Sequence, residues 1–182
     1  LFDQPIGIWD TSKVTSMIKT FYIARNFNQP LGAWDTGEVT DMSYMFNGAG
    51  EFKQNINTWN TSKVTKMNYL FAGADEFNQP LNSWDTSSVT EMKGMFQNAY
   101  KFNQPINNWN VSSVTDMSYM FYFAIKFDQP LNNWNVSNVT TMEFMFGKTG
   151  NFTQNSANDF NQDIGDWDVG KVQNFRAMFR NS

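Results

Sequence analysis

The 182-residue sequence contains no cysteine and no histidine. Without cysteine, the chain can form no disulfide framework and carries no thiolate nucleophile. Without histidine, it lacks the most common general base and a frequent zinc ligand. Its carboxylates are scattered along the chain, and it has no glycine-rich phosphate loop and no nucleophile elbow. We therefore expect the protein not to be an enzyme and to bind no metal and no cofactor.

Charged residues and long apolar runs are also scarce. Only 16% of the residues are charged and the formal net charge is −4, so the chain has no basic surface for a nucleic-acid backbone. No apolar run reaches the roughly 18 residues that a membrane-spanning helix requires. These absences predict no nucleic-acid partner and no membrane span in this segment.

Aromatic residues, in contrast, are abundant and recur at a fixed interval of 25 residues. The regular columns run from Phe2 to Phe152, Trp9 to Trp134, Val14 to Val139, Met17 to Met142, Phe21 to Phe146 and Ala24 to Ala124. A fixed period of this length is typical of a solenoid, in which each repeat buries its apolar face by stacking on its neighbours. The columns therefore predict a repeat solenoid whose core consists of stacked Phe, Trp and Met side chains.

The local structure of one coil can be predicted from the segment that follows Phe77. Pro80 cannot donate a ladder hydrogen bond, which predicts a short parallel strand after it, over about 81–84. The Asp85-Thr-Ser sequence favours an Asx turn at a corner. The apolar residues from Val89 to Ala99 have helical spacing, although the Val-Thr pair favours extended backbone. We predict an extended Val-Thr-x-Met stretch and then a short helical turn in each 25-residue coil.

The period also predicts the domain organisation, a single array of seven repeats over residues 1–182. The repeat starts at Phe152, stops, and starts again at Phe160, which indicates an eight-residue insertion at 152–159. Such an insertion is either a loop on a binding face or a tolerated slip in a duplicated array. Because the sequence begins inside a repeat and without Met, we expect it to be a piece of a longer protein.

The repeat F-N-Q-P-L-N-x-W-D/N-T/V-S-x-V-T-x-M-x-x-M-F-x-x-A resembles the bacterial surface-protein repeat of BspA-like, leucine-rich-repeat-related proteins. The likeness extends from Phe2 to Phe179, and W-D-T-S-x-V-T-x-M is its most specific part. The resemblance implies a leucine-rich-repeat-like solenoid in an extracellular or cell-surface protein that is used for adhesion or protein contact. That family has no catalytic motif to transfer to this chain.

One column of the repeat is a candidate site for protein contact. It contains Tyr44, Tyr69, Tyr119 and Phe144, with Gly94 interrupting it. Aromatic residues are preferred anchors at protein interfaces. The alternative interpretation is that these rings cover the edge of the core.

Asparagine residues offer a second set of candidates. N-x-S/T sequons occur at Asn60, Asn110, Asn135, Asn138 and Asn151. They predict glycosylation in a eukaryotic secretory setting and no sugar in a bacterium. The Asp and Asn column from Asp10 to Asp168 has oxygen atoms suited to calcium, but three of its seven members are neutral Asn, so we interpret it as turn capping.

Two functions from different classes remain open after this reading. The first is a binding module, a non-enzymatic surface protein that recognises a protein partner through its repeats. The second is a structural spacer, or an element that self-assembles end to end into a filament or surface layer. The family resemblance favours the binding module.

Overall fold

Successive repeats lie on top of one another in parallel, but the backbone forms almost no regular secondary structure. The computed structural model describes residues 2–148 and 159–182, and within these ranges it contains no helix and no strand beyond isolated bridges. The bridges are parallel and join Ser16 to Asp41, Asp41 to Lys66, Lys66 to Glu91, Glu91 to Asp116, Asp116 to Thr141 and Thr141 to Asn174. The prediction of a leucine-rich-repeat-like solenoid with short strands and a helical turn in every coil is therefore wrong.

The predicted strand over residues 81–84 is a turn in the structure. The Trp84 N–H donates to the Leu81 carbonyl at 3.1 Å, which closes a four-residue turn. The extended Val-Thr-x-Met stretch contributes one bridging residue, Glu91, to the parallel pairing. Parallel bridge pairing is therefore confined to a single position per repeat within the described residues.

Along each repeat, some backbone N–H groups donate to the next repeat and the N–H groups between them donate within their own repeat. This alternation explains the lack of helices and strands. The N–H groups of Met42, Tyr44 and Phe46 donate to carbonyls of the next repeat at 3.0, 2.8 and 2.9 Å. Between them, Met45 and Asn47 donate to the carbonyls three residues back, at 3.2 and 3.1 Å. These donors are satisfied, as buried backbone requires, although neither pattern continues over consecutive residues.

Residues with positive φ keep the consecutive turns from becoming a helix. Gly94 (φ 59°) and Asn98 (φ 57°) are the third residues of the turns Met92–Met95 and Phe96–Ala99. A type II turn requires positive φ at that position, whereas a right-handed helix excludes it. Every apolar residue from Val89 to Ala99 is nevertheless buried. Helical spacing of apolar residues can therefore arise from a series of turns.

The core consists of rings stacked both within and between repeats. The Phe71 ring lies 4.1 Å from Phe77 in its own repeat, and 5.6 and 5.7 Å from Phe46 and Phe96 in the adjacent repeats. All four side chains are fully buried. Offset stacking at these distances is favourable for aromatic rings, so burial and ring geometry act together.

Each buried tryptophan is also fixed by a hydrogen bond to the preceding repeat. The Trp84 indole N–H donates to the Ile56 carbonyl at 3.1 Å, and Trp84 is only 3% exposed. Trp34, Trp59, Trp109, Trp134 and Trp167 make the equivalent bond. The Ile56 carbonyl also accepts the Trp59 backbone N–H at 3.1 Å, so the indole is its second donor and adds a hydrogen bond between repeats that phenylalanine could not make.

The corner of the repeat forms as the sequence predicts. The Asn60 Oδ1 atom accepts hydrogen bonds from the Ser62 N–H at 3.1 Å and from the Ser62 hydroxyl at 2.8 Å. The Asp85 Oδ1 atom accepts from the Ser87 N–H at 2.9 Å. These contacts confirm the Asx turn. They also engage the side-chain oxygen atom that would otherwise be available as a calcium ligand.

The stacking register resumes beyond the gap in the described residues. The Asn161 N–H donates to Asp128 Oδ1 across 33 residues, whereas the equivalent bond from the Asp128 N–H to Asn103 spans 25. The Phe160 ring stacks on Phe127 at 6.2 Å and 3°. Of the predicted insertion at 152–159, only its last residue lies within the described residues. Phe160 thus occupies the Phe column of the last repeat.

Candidate functional site

The four aromatic residues predicted from one column form two stacked pairs on one side of the molecule. The ring centroids of Tyr44 and Tyr69 are 5.0 Å apart, with 18° between the ring planes. Those of Tyr119 and Phe144 are 5.3 Å apart, with 16° between the planes. The structure therefore brings the predicted residues together as two pairs, separated by the repeat that carries Gly94.

The Tyr69 ring fills part of the space that a side chain at Gly94 would occupy. A Cβ atom added to Gly94 would lie 2.3 Å from Tyr69 Cε1 and 2.5 Å from Tyr69 Cδ1, closer than real Cβ contacts. Gly94 also has a φ of 59°, which glycine adopts without steric cost. The glycine thus fixes where the first aromatic pair ends.

Bulky residues in this column adopt a backbone conformation that usually favours glycine. The φ angles are 60° at Tyr44, 54° at Tyr69, 61° at Tyr119 and 53° at Phe144. A left-handed conformation costs a residue with a Cβ atom about 1–2 kcal/mol. Lys19 and Ala177 in the same column also have positive φ, so this conformation belongs to the turn of the repeat and is not specific to the rings.

The sequence left two interpretations of this column, a protein-contact site or rings that cover the edge of the core, and the exposure of the side chains differs between its members. Tyr44, Tyr69 and Tyr119 are half-buried, so part of each ring faces solvent. Phe144 is only 7% exposed and belongs to the edge of the core. The three tyrosines, and not Phe144, offer surface to a partner.

Cationic side chains lie over these rings. Lys19 Nζ is 5.4 Å from the ring centroid of Tyr44, and Lys93 Nζ is 6.0 Å from that of Tyr119. The Arg176 guanidinium carbon is 5.8 Å from the centroid of Phe144. These distances fall within or at the limit of the range of cation–π attraction. We call the set of Lys19, Tyr44, Tyr69, Lys93, Tyr119, Phe144 and Arg176 the aromatic face.

Sequence reasoning missed the cations, although the repeat contained a signal for them. Lys19 occupies the tyrosine column of its own repeat, and Lys93 and Arg176 immediately precede that column in theirs. Alignment of the repeats therefore places the three cations beside the rings. The alignment does not show whether each long side chain points over a ring or away from it.

Ion pairs neutralise part of the positive charge on the aromatic face. Arg176 contacts Glu143 at 3.1 Å, and Lys93 contacts Asp116 at 3.8 Å. Lys19 has no ion pair within the described residues. The face therefore presents both signs of charge next to aromatic rings, and of these residue types aromatic residues and arginine are enriched at protein interfaces.

Two phenol groups on this face, those of Tyr69 and Tyr119, have a pKa above that of free tyrosine. Burial, followed by the nearby Tyr44 and Asp116, raises the pKa of Tyr69. Burial and then Glu143 raise the pKa of Tyr119. Both hydroxyls therefore remain protonated at neutral pH and can donate hydrogen bonds to a partner.

Four of the five sequon asparagines lie within the described residues, and all four are exposed. Asn60, Asn110 and Asn135 are exposed, and each Oδ1 accepts the hydroxyl of the serine two residues later, at 2.7–2.8 Å. Asn138 is also exposed, but its Nδ2 donates to the Ser112 carbonyl at 2.8 Å. Asn151 lies outside the described residues.

A polar depression of about 550 Å³ lies elsewhere on the stack. Gly48 and Gly73 form part of its lining, and Glu51, Asp75 and Tyr100 contribute side chains to it. Burial, then Glu76 and Glu51, raise the pKa of Asp75. The depression therefore holds a carboxylate whose charge is partly uncompensated.

The described residues also lack two kinds of feature. Across residues 2–148 and 159–182, no three or more acidic side chains are grouped so that they could hold a metal ion. No helix in that part of the chain has the length and apolar character to cross a membrane. The aromatic face remains the candidate site on the described surface.

Comparison with known proteins connects this architecture to a family. Neither the curated proteins nor the solved structures include a match to the chain. One family model, described as "Mycoplasma protein of unknown function, DUF285", matches residues 1–88, 41–158 and 154–182. The repeated matches agree with a repeat protein and together extend over the whole sequence. The chain therefore belongs to the DUF285 family of Mycoplasma proteins of unknown function.

Proposed function

We propose that this protein is a non-enzymatic cell-surface protein that mediates adhesion or protein–protein interaction through the aromatic face. The observation that carries the proposal is the pairing of stacked tyrosines with cations along one side of the stack. Tyrosine and arginine are the residue types that most often dominate binding energy at interfaces.

The stack supports this role because it holds the aromatic face in a fixed geometry. The N–H groups of Tyr44, Tyr69 and Tyr119 all donate to the next repeat, at 2.8, 2.8 and 2.9 Å. Anchors held on a rigid backbone lose little conformational entropy when a partner binds. A partner protein would therefore meet a preorganised surface.

The extracellular setting rests on the sequence. The repeat is similar to the BspA-like bacterial surface-protein repeat, and that likeness supports an exposed location and protein contact. The absence of histidine and cysteine and of catalytic motifs in the sequence supports a non-enzymatic role.

The proposal can be tested by binding to intact animal cells. The fluorescently labelled chain should bind saturably, and protease treatment of the cells should remove the binding, since the proposed partner is a protein. A triple variant with Lys19→Ala, Lys93→Ala and Arg176→Ala should bind at least about tenfold more weakly, since exposed cations at interfaces contribute to affinity.

A matched control removes the same charge from other sides of the stack. Lys63, Lys101 and Lys126 pair with Glu38, Glu76 and Asp159 and take no part in the aromatic face. Their triple alanine variant should bind like the unmodified chain. Equal loss in both variants, or no saturable binding at all, would refute a role for the aromatic face.

A second candidate function is a rigid spacer, and the continuous hydrogen bonding between repeats favours it. Amide groups link each repeat to the next from Met17 through Lys148. A spacer needs this rigidity but not the aromatic face. A chain that is folded but shows no saturable binding to cells would favour the spacer.

A further inference from the structure

The polar depression described above extends over four repeats and owes its shape to missing side chains. Its volume of about 550 Å³ falls within the range of ligand pockets. Two columns of the repeat lose their side chains where it lies. The first column contains Ile23, Gly48, Gly73, Asn98 and Phe123, and the second contains Arg25, Gly50, Asp75, Tyr100 and Ile125.

The glycines leave bare backbone in the depression. A Cβ atom added to Gly73 would have only backbone atoms of Gly48 within 4 Å, at 3.6 Å. A Cβ atom added to Gly50 would have Asp75 Oδ2 as its nearest neighbour, at 3.7 Å. The space that these glycines leave is therefore open, and a carboxylate oxygen of Asp75 borders it.

Asp75 has acceptors that no described residue uses. Its carboxylate takes part in no hydrogen bond and no ion pair within the described residues. The carbonyls of Arg25 and Gly50, in the same column, accept the N–H groups of Glu51 and Glu76 at 3.0 Å. The Asp75 carbonyl has no such donor in that part of the chain. Asp75 can therefore accept hydrogen bonds from a ligand.

Negative charge in the depression exceeds positive charge. Glu76 pairs with Lys101 at 2.6 Å, but Glu51 and Asp75 pair with no cation among the described residues. Arg25 is the cationic residue of the lining and forms no ion pair with either. The depression therefore has two carboxylates that a bound cation would neutralise.

An aromatic ring borders the carboxylate. Tyr100 lines the depression and is 40% exposed, although it belongs to an inner repeat. Burial and then the nearby Asp75 raise the pKa of Tyr100, which places the phenol close to that carboxylate. A cation between them would gain both ion pairing and cation–π attraction.

The chemistry of the lining distinguishes between kinds of cation. Among the described residues, no three or more acidic side chains are grouped so that they could hold a metal ion. An ammonium or guanidinium group instead needs a few hydrogen-bond acceptors, and it favours an aromatic ring. Open space, the free acceptors of Asp75 and the ring of Tyr100 suit an organic cation.

We propose that this depression binds an organic cation, an alkylammonium or guanidinium group, which donates hydrogen bonds to Asp75 and lies against the Tyr100 ring. A free amine and a lysine or arginine side chain of another protein carry this same chemistry. The depression shares no residue with the aromatic face. Its test is therefore separate from the test of the proposed function.

The first experiment is a titration of the isotope-labelled chain, followed by amide chemical shifts. Butylammonium and methylguanidinium should each cause saturable shifts at Gly48, Gly73 and Tyr100. Butyrate and butanol have a similar carbon chain without the positive charge and should cause none. Equal shifts with butyrate, or no saturable shift with either cation, would overturn the proposal.

Two variants locate the bound cation. Asp75→Asn removes the charge and should weaken binding by about threefold to fivefold, as expected for a partly exposed ion pair. Gly50→Leu fills the open space and should abolish the shifts at Gly73. Gly50 is not among the residues with positive φ, so leucine there does not require a left-handed backbone.

Glu38→Gln is the matched control. It also removes one carboxylate, but Glu38 pairs with Lys63 at 2.7 Å and does not line the depression. This variant should bind both cations like the unmodified chain, and thermal unfolding checks that every variant is folded. Unchanged binding by a folded Asp75→Asn variant would contradict the proposal.

A comparison of ligands identifies the source of the cation. A capped Gly-Arg-Gly peptide that binds more tightly than methylguanidinium would indicate a side chain of another protein. Putrescine that binds more tightly than the peptide would indicate a free amine. Both results support the cation site, whereas failure of every cation to bind refutes it.

Discussion

Inner and outer repeats share the Phe and Trp columns but differ in what surrounds these side chains. Phe52 and Trp59 are 0% and 2% exposed, whereas their equivalents Phe2 and Trp9 are 48% and 59% exposed. The difference shows that a single repeat cannot bury its own aromatic side chains. Stability in this protein therefore comes from the contact between repeats, as expected for a stacked array.

The largest effect should come from removing one inner ring. Phe71 contacts rings in its own repeat and in both adjacent ones. Phe71→Ala should lower the free energy of unfolding by about 3–5 kcal/mol, because it leaves a cavity in a tightly packed core. Chemical denaturation measures this loss.

Phe2→Ala is the matched control in an outer repeat. Phe2 stacks on Phe27 alone, at 5.9 Å, and is half exposed. Its removal should cost less than about 1.5 kcal/mol, near the lower end for truncated apolar side chains. Similar losses at both positions would contradict the view that burial comes from neighbouring repeats.

The next effect concerns the indole hydrogen bond. Trp84→Phe keeps an aromatic ring but removes the donor to the Ile56 carbonyl. The Ile56 carbonyl keeps the Trp59 N–H at 3.1 Å, so the variant loses one of its two hydrogen bonds and should cost about 0.5–1.5 kcal/mol. Trp9 makes no such bond within the described residues, so Trp9→Phe should have almost no effect on the denaturation midpoint.

A smaller difference is expected between two glycines with positive φ. Gly94 (φ 59°) and Gly73 (φ 66°) both incur the left-handed cost when replaced by alanine. Only Gly94→Ala also collides with Tyr69 of the preceding repeat, whereas a Cβ at Gly73 lies at least 3.6 Å from its neighbours. Gly94→Ala should therefore lower the melting temperature more than Gly73→Ala.

Tyr69→Ala provides a direct check of that difference. In a Tyr69→Ala background the collision with the ring is gone, so Gly94→Ala should cost no more than Gly73→Ala. A double-mutant cycle measures the coupling between the two positions. Zero coupling would mean that the Tyr69 ring does not occupy the space beside Gly94.

The smallest effect is the pH dependence of Asp75. Its pKa is raised in the folded state by burial and by Glu76 and Glu51, so folding disfavours its charged form. This penalty is absent below the unfolded pKa of about 3.9 and fully present above the folded pKa. Asp75→Asn should raise the melting temperature slightly at pH 7, and the gain should vanish below about pH 4. A gain that persists at pH 3 would contradict the electrostatic cause.

The sequence predicts the contents of the core but not the conformation of the backbone. The Phe, Trp and Met columns are buried as the 25-residue period indicates, and the Asx turn at Asn60 forms as expected. The helical turn and the short strands do not form. Apolar residues three and four apart suit a helix, yet here positive φ at Gly94 and Asn98 produces consecutive turns with the same spacing.

For the candidate site, the sequence predicts which residues share a column but not how their side chains contact one another. The position of Tyr44, Tyr69, Tyr119 and Phe144 in one column follows from the period. Their separation into two pairs depends on the Tyr69 ring turning towards Gly94, and the cation contacts depend on the directions of lysine and arginine side chains. Rotamer choices of this kind are set by packing between repeats and leave no periodic signal.

Hydrogen exchange of the monomeric chain at high dilution tests the importance of contacts between repeats most directly. The amides of Met142 and Phe144 donate to the last repeat at 2.9 Å, whereas Phe175 and Ala177 occupy the same columns without an acceptor in the described residues. We predict slow exchange at Met142 and Phe144 and fast exchange at Phe175 and Ala177. Equal exchange rates in the two repeats of the monomer would contradict the conclusion that neighbouring repeats hold this fold together.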